Sequence, residues 1–281
     1  MKLLITLGCI VIAACKVFGQ PPSQVDFRSL VDKVLRDRKL DLAKVCPAND
    51  VVGTRVFREY GAIFVSKGTS LPGKCVFESE TDVQAFQSLA EPYELKVGGV
   101  SVTLQRAAMH AFEDALAEAA KMRLSITPRG GSASSTRSYA KTVELWNSRF
   151  LPALRYWTAK GKITRDESAA AIRAPIREQV STVLALEAKG LWFSKDLSKS
   201  ILYSVAVPGA SQHNFMLALD VSQFADARVR RILAKHGWFQ TVKSDLPHFT
   251  YLGVSEDELP LLGLRREVIS GQTFWIPNIK E

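Results

Sequence analysis

Residues 211–220 read SQHNFMLALD, inside the longer stretch YSVAVPGASQHNFMLALDV that starts at Tyr203. The chain has only four histidines, and one of them, His213, is followed seven residues later by Asp220 across an almost wholly apolar run. On a helix, seven residues rise about 10 Å, too far for two side chains to share one small ion. On an unbroken strand the odd spacing sends them to opposite faces. They converge only where the chain turns or bulges between them. PGASQHN supplies a loop before the run and LALDV a strand at its end. Taken alone, the simpler reading is a surface histidine and a strand-end aspartate.

A second segment changes the weighting. Residues 237–253 read GWFQTVKSDLPHFTYLG, with Asp245 three residues before His248 and Pro247 restricting the backbone just ahead of the histidine. HFTYLG alternates as a strand, so His248 stands at the start of a rigid element. Two histidines and one aspartate make a three-ligand zinc site whose fourth position is left for water, the catalytic rather than the structural form. A nearby unligated carboxylate, Asp245, is then placed to take a proton from that water.

The two segments together resemble one zinc peptidase superfamily, which contains D-alanyl-D-alanine carboxypeptidases and L-alanyl-D-glutamate endopeptidases. Its first motif is Ser-x-His-x-x-Gly-x-Ala-x-Asp, matched by Ser211, His213, Ala218 and Asp220. Asp245, Pro247, His248 and Phe249 resemble the Asp-x-Pro-His-Phe form of the endopeptidase branch, where the carboxypeptidase branch more often has Glu-Pro-Trp-His. The resemblance implies zinc bound by His213, Asp220 and His248, with Asp245 as general base. Met216 departs from it, standing where the family has glycine, and this bears on the local turn or the depth of the pocket.

Upstream, the family has a strand leading to Ser-Gly-Tyr-Arg-Ser and then a helix. SITPRGGSASSTRSYAKTVELW is similar but longer, with Arg137 in the matching place and Arg129 as the competing position. The resemblance implies that this arginine acts at the catalytic site by holding the substrate. A guanidinium suits that work, because it grips a carboxylate at two points and keeps its charge. Ser211 is expected to support the substrate or the loop. The resemblance covers roughly residues 100–255; residues 20–95 and a helical stretch at about 150–190 fall outside it.

The N-terminus, MKLLITLGCIVIAACKVFGQPP, has one early lysine, an apolar run and small residues near its end. That is the shape of a secretory signal, with cleavage after Gly19. The rival reading is lipoprotein processing at Cys15. Either way the expectation is export, to a periplasmic or extracellular site. Cys46 and Cys75 then remain, and an oxidising compartment favours a disulfide between them. No stretch of the mature chain is long and apolar enough for a transmembrane segment. The formal charge of +9 falls to +7 without Lys2 and Lys16. No zinc finger, RNA-binding aromatic signature or long basic run supports nucleic acid as the partner.

Hydrophobic content of 47% with 23% charged residues supports an ordinary packed core. Helical periodicity is expected over residues 22–42, from Thr103 to Met122, from Tyr139 to Lys189, and over SQFADARVRRILAKHG with Ser222 as its cap. Strand texture is expected in TRVFREYGAIFV, KCVF, LSITP, LYSVAVP, WFQTV, HFTYLG and TFWIP. Helices and strands mix without regular βαβ alternation, so the expected class is α+β, a small antiparallel sheet carrying the zinc site and flanked by helices. The expected division is a signal peptide (1–19), an accessory N-terminal region (20–98), and a zinc peptidase-like domain (99–281) with its helical insertion. His110 reads as structural, and His236 as a helix C-terminal cation.

The resemblance implies an exported zinc peptidase acting on peptidoglycan stem peptides. The D-alanyl-D-alanine carboxypeptidase type is taken as the first reading and the L-alanyl-D-glutamate endopeptidase as the alternative. A non-catalytic wall-binding protein is the reading from a different class. The sequence carries no signal for oligomeric state.

Overall fold

The computed structural model describes residues 25–279, and the expected leader with Cys15 lies outside them. Helix α1 (Phe27–Asp37) starts where the Asp26 carboxylate accepts the Ser29 amide at 2.9 Å, and it buries Phe27, Val31 and Leu35 along one stripe. A short α2 (Leu42–Val45) follows and ends on Cys46. Cys46 forms a disulfide with Cys75, their Cα atoms 5.3 Å apart.

The β-like reading of TRVFREYGAIFV is overturned. Residues Val51–Tyr60 form helix α3, and Gly61–Val65 continue as a 3-10 turn. Asp50 caps the helix by accepting the Val52 amide at 3.1 Å. Val52, Val56, Phe57 and Tyr60 recur at helical spacing and are buried together. That shared buried face outweighs the β preference of the individual valines.

Helix α4 (Glu80–Leu89) leads into a hairpin of β1 (Pro92–Val97) and β2 (Val100–Gln105), turned at Gly98 and Gly99, both at positive φ. Thr103 to Gln105 belong to that hairpin, so α5 begins at Arg106 and runs to Lys121. The region expected to be helical from Tyr139 holds α6 (Tyr139–Ala159), α7 (Arg165–Arg173) and α8 (Ile176–Glu187). LYSVAVP is not a strand. Its amides are satisfied locally, Ser204 N and Val205 N both donating to the Ile201 carbonyl at 2.8 and 3.0 Å.

The remaining elements are β3 (Ala218–Asp220), α9 (Ala227–Lys235), β4 (Trp238–Phe239), β5 (His248–Tyr251), β6 (Leu264–Ile269) and β7 (Gln272–Pro277). Helix α9 is capped by Asp226, not Ser222. Ser222 instead donates its amide to the Thr127 carbonyl at 2.9 Å and ties the LSITP segment alongside β3. LSITP makes only a single bridge, Pro128 to Val221, since proline has no N–H to extend a ladder.

The class is α+β with small antiparallel sheets flanked by helices. The central sheet has the order β3-β5-β4, and its register sets Asp220 directly opposite His248. Opposed residues of an antiparallel pair project to the same face. Helix α9 packs against β4 and α5, and α5 backs this sheet through Phe112, whose ring lies 6.2 Å from that of Trp238. One cluster of buried side chains runs from Phe27 to Trp275, so residues 25–98 share a core with the rest. Gly209 shows how closely they meet. Its carbonyl accepts the Phe77 amide at 2.9 Å, and a Cβ there would lie 1.9 Å from the Phe77 carbonyl oxygen.

The disulfide joins residues 29 apart in sequence, and closing a loop of that length stabilises by about 3–4 kcal/mol through the unfolded chain. Substituting both cysteines by serine is expected to lower the melting temperature by about 10 °C. Calorimetry under oxidising conditions checks this; an unchanged melting temperature would mean the bond does not form in the folded protein.

Candidate metal centre

His213 lies in a 3-10 turn (Gln212–Phe215) that ends on Met216 in the left-handed conformation, φ 55° and ψ 34°. That reversal feeds the chain into β3, and so brings Asp220 back towards His213. The turn demanded by the spacing of SQHNFMLALD is therefore present. Holding a side-chain-bearing residue such as Met216 in the left-handed region costs about 1–2 kcal/mol. Gln105 holds the bend, accepting strain into a fixed frame: its amide donates to the Met216 carbonyl at 3.1 Å and its Nε2 to the Phe215 carbonyl at 2.8 Å.

Met216 is itself buried, and deleting its side chain removes core packing. Met216→Gly is expected to relax the backbone yet lose net stability by about 1–3 kcal/mol, because the lost packing outweighs the strain relieved. Its metal affinity should stay within a few-fold of the parent. A large loss of affinity in a folded Met216→Gly protein would show that the side chain, not the backbone bend, holds the site.

His213 Nε2, His248 Nδ1 and Asp220 Oδ1 converge. The two nitrogens are 3.1 Å apart, and each lies 3.3 Å from the oxygen. All three residues are buried. The outer ring nitrogens fix the tautomers. His213 Nδ1 faces the Ser135 carbonyl at 3.3 Å, and His248 Nε2 faces Gln212 Oε1 at 2.8 Å. The Gln212 amide is oriented in turn, its Nε2 donating to the Tyr60 carbonyl at 2.9 Å. Both outer nitrogens therefore carry the protons, and both inner nitrogens present lone pairs. Asp220 Oδ1 is buried without a hydrogen-bond partner.

Three unshared pairs facing one another in a buried space form a group that could hold a cation between them. A proton fits poorly, because burial, with the Arg137 charge, pushes the His213 imidazole down to about 4. Burial alone raises the Asp220 carboxyl, but His213 and His248 outweigh it and hold the group well below the usual range. A metal ion fits well. The edges of the triangle, 3.1 and 3.3 Å, approach the roughly 3.3 Å ligand–ligand separation around a four-coordinate ion with bonds of about 2.0–2.1 Å. Two imidazoles and one carboxylate favour a transition ion over calcium or magnesium.

Arg137 Nη2 donates to Asp220 Oδ2 at 2.6 Å, and its Nε donates to the Ala133 carbonyl at 2.9 Å. The arginine thus orients the carboxylate that faces the histidines, and it also lines the adjoining cavity. That cavity, about 260 Å³, is further walled by Ser211, Asp245, Tyr60 and Tyr203. Burial raises the Asp245 carboxyl, the Asp220 charge adds to the rise, and His248 with the arginines opposes it. Arg129 is not among the residues lining the cavity. Its amide donates to the Asp220 carbonyl at 2.8 Å, and its guanidinium lies over Phe224.

The other two histidines are engaged elsewhere. His236 Nε2 lies 2.9 Å from a Glu118 oxygen, and His110 packs edge-on against Tyr93. Gln212, Ser135 and Tyr60 were not marked by the sequence, because each acts on a residue remote along the chain. Among the described residues no helix is long and apolar enough to cross a membrane.

Fold and site together define an α+β protein with a buried two-histidine, one-aspartate group able to bind a metal ion. No family model, no curated protein and no solved structure matches the chain.

Proposed function

We propose that the protein is an exported zinc-dependent peptidase acting on peptidoglycan stem peptides, of the D-alanyl-D-alanine carboxypeptidase type. The observation that carries this reading is the convergence of three lone pairs from His213, Asp220 and His248 beside a cavity walled by Asp245. A bound zinc ion supplies Lewis-acid polarisation of a carbonyl oxygen and acidifies a water molecule. His213, Asp220 and His248 would hold the ion, with Ser135, Gln212 and Arg137 fixing their orientation. Asp245 takes a proton from the attacking water on its carboxylate and returns it to the leaving amine nitrogen. Its raised proton affinity suits that exchange, because a base works best with a pKa close to the working pH. The secretory shape of residues 1–19 and the Cys46–Cys75 disulfide support export.

The Asp245-Leu246-Pro247-His248 order favours the L-alanyl-D-glutamate endopeptidase as the second reading. Digestion of purified peptidoglycan by residues 20–281, with and without chelator, separates the possibilities by mass spectrometry of the fragments. Chelator-sensitive release of D-alanine is the expected result, and cleaved L-Ala–D-Glu bonds would select the endopeptidase. Intact muropeptides with protein retained on the wall would overturn both in favour of a binding protein.

A further inference from the structure

The cavity beside the metal centre holds two guanidinium groups, and only one of them is neutralised. Arg137 is paired with Asp220. Arg149 also lines the cavity and has no such partner. It sits on α6 in register with two other cavity residues, Thr142 and Leu145, at intervals of three and four that keep all three on one helix face. Its Nη1 reaches only the hydroxyl and carbonyl of neighbouring Ser148, at 3.0 and 3.3 Å, and its Nε is buried with no hydrogen-bond partner. No Asp or Glu among the described residues forms an ion pair with it.

The Nη1 bonds to Ser148 are solvent-exposed and local to the chain, so the guanidinium is free to turn its outer nitrogens to a carboxylate entering the cavity. Among the described residues the only carboxylate on the cavity wall is Asp245, which the proposed chemistry occupies. The volume of about 260 Å³ lies at the small end for ligand pockets, the size of a short peptide terminus rather than a glycan strand.

We propose that Arg149 is the residue that binds the substrate's carboxylate, fixing which peptide end enters the cavity. This rests on the peptidase reading of the site. Arg137 then serves chiefly to position Asp220, and the work of gripping the substrate passes to α6, at the edge of the stretch that resembles the peptidase superfamily. The carboxylate is the free C-terminus of an acyl-D-Ala-D-Ala peptide or the α-carboxylate of a glutamate next to the cleaved bond.

The test compares zinc-loaded parent protein, Arg149→Gln and Arg149→Lys on two peptides, diacetyl-L-Lys-D-Ala-D-Ala and L-Ala-D-Glu. Each peptide is offered as the free acid and with that carboxyl amidated. Hydrolysis is followed kinetically, and calorimetric affinities are measured in an Asp245→Asn background, where turnover does not interfere. The parent is expected to prefer one acid over its amide, and the peptide showing the preference identifies the source of the carboxylate. Arg149→Gln should raise KM and Kd for that acid about tenfold to a hundredfold, with a smaller change in kcat, and should erase the preference. Arg149→Lys should recover part of it. Equal zinc stoichiometry in all three proteins shows that the variants are folded. If the parent prefers the acid and Arg149→Gln keeps that preference, the assignment of Arg149 is overturned while the peptidase reading stands. If the parent neither binds nor cleaves either peptide, the peptidase reading falls and the assignment falls with it.

Discussion

Replacing His248 by alanine is expected to abolish stoichiometric metal binding. The parent chain, stripped by chelator and titrated with zinc, should take up one ion. At a thousandfold excess of free metal over its Kd, binding should stabilise the fold by about 4 kcal/mol, visible as a rise in melting temperature. Removing one of three protein ligands should weaken affinity by more than about a hundredfold, since each ligand carries a large share of a binding energy on the order of 10 kcal/mol. His248→Ala should therefore show almost no metal-dependent rise. A milder variant guards against simple misfolding. Gln212→Ala keeps all three ligands but removes the 2.8 Å contact that orients His248, and should lose about tenfold to a hundredfold in affinity. Parent-like affinity in a folded His248→Ala protein would place the metal elsewhere.

The second large effect belongs to Asp245. On the proposed peptidase reading, Asp245→Asn preserves shape and removes the base, so hydrolysis should fall by about 10²–10⁴-fold. Metal binding should survive, because Asp245 is not one of the three residues whose ligand atoms converge. The pairing of lost turnover with retained metal is what marks a base rather than a ligand. Loss of metal in Asp245→Asn would make the residue a ligand. Turnover equal to the parent would remove it from the chemistry.

Much of the candidate site was legible in advance. The residue types and order of SQHNFMLALD and DLPHFTY pointed to His213, Asp220 and His248, and Pro247 marked the start of β5. The disulfide partners followed from their number and the leader-like N-terminus. TRVFREYGAIFV misled, because its β-branched and aromatic side chains favour a strand although the buried positions Val52, Val56, Phe57 and Tyr60 recur with helical period. LYSVAVP misled for a related reason. Alternation suggests a strand, but a strand needs a partner, and these amides close on Ile201 instead. The hairpin at 92–105 carried a readable signal, two glycines between alternating runs, that the adjoining helix pattern overshadowed.

What the sequence by itself determined was a set of donors: two imidazoles, a carboxylate and a second carboxylate, each in a short segment able to hold it. Their convergence was a tertiary matter. His213 and Asp220 meet because Met216 takes a left-handed bend held by Gln105, and Asp220 meets His248 because β3 and β5 pair in one register. The lone pairs turn inward because Ser135 and Gln212 accept the outer protons from positions remote along the chain. Local pattern sets which atoms are available. Strand register and long-range hydrogen bonds decide which way they point, and the capacity to hold a cation follows only from that direction.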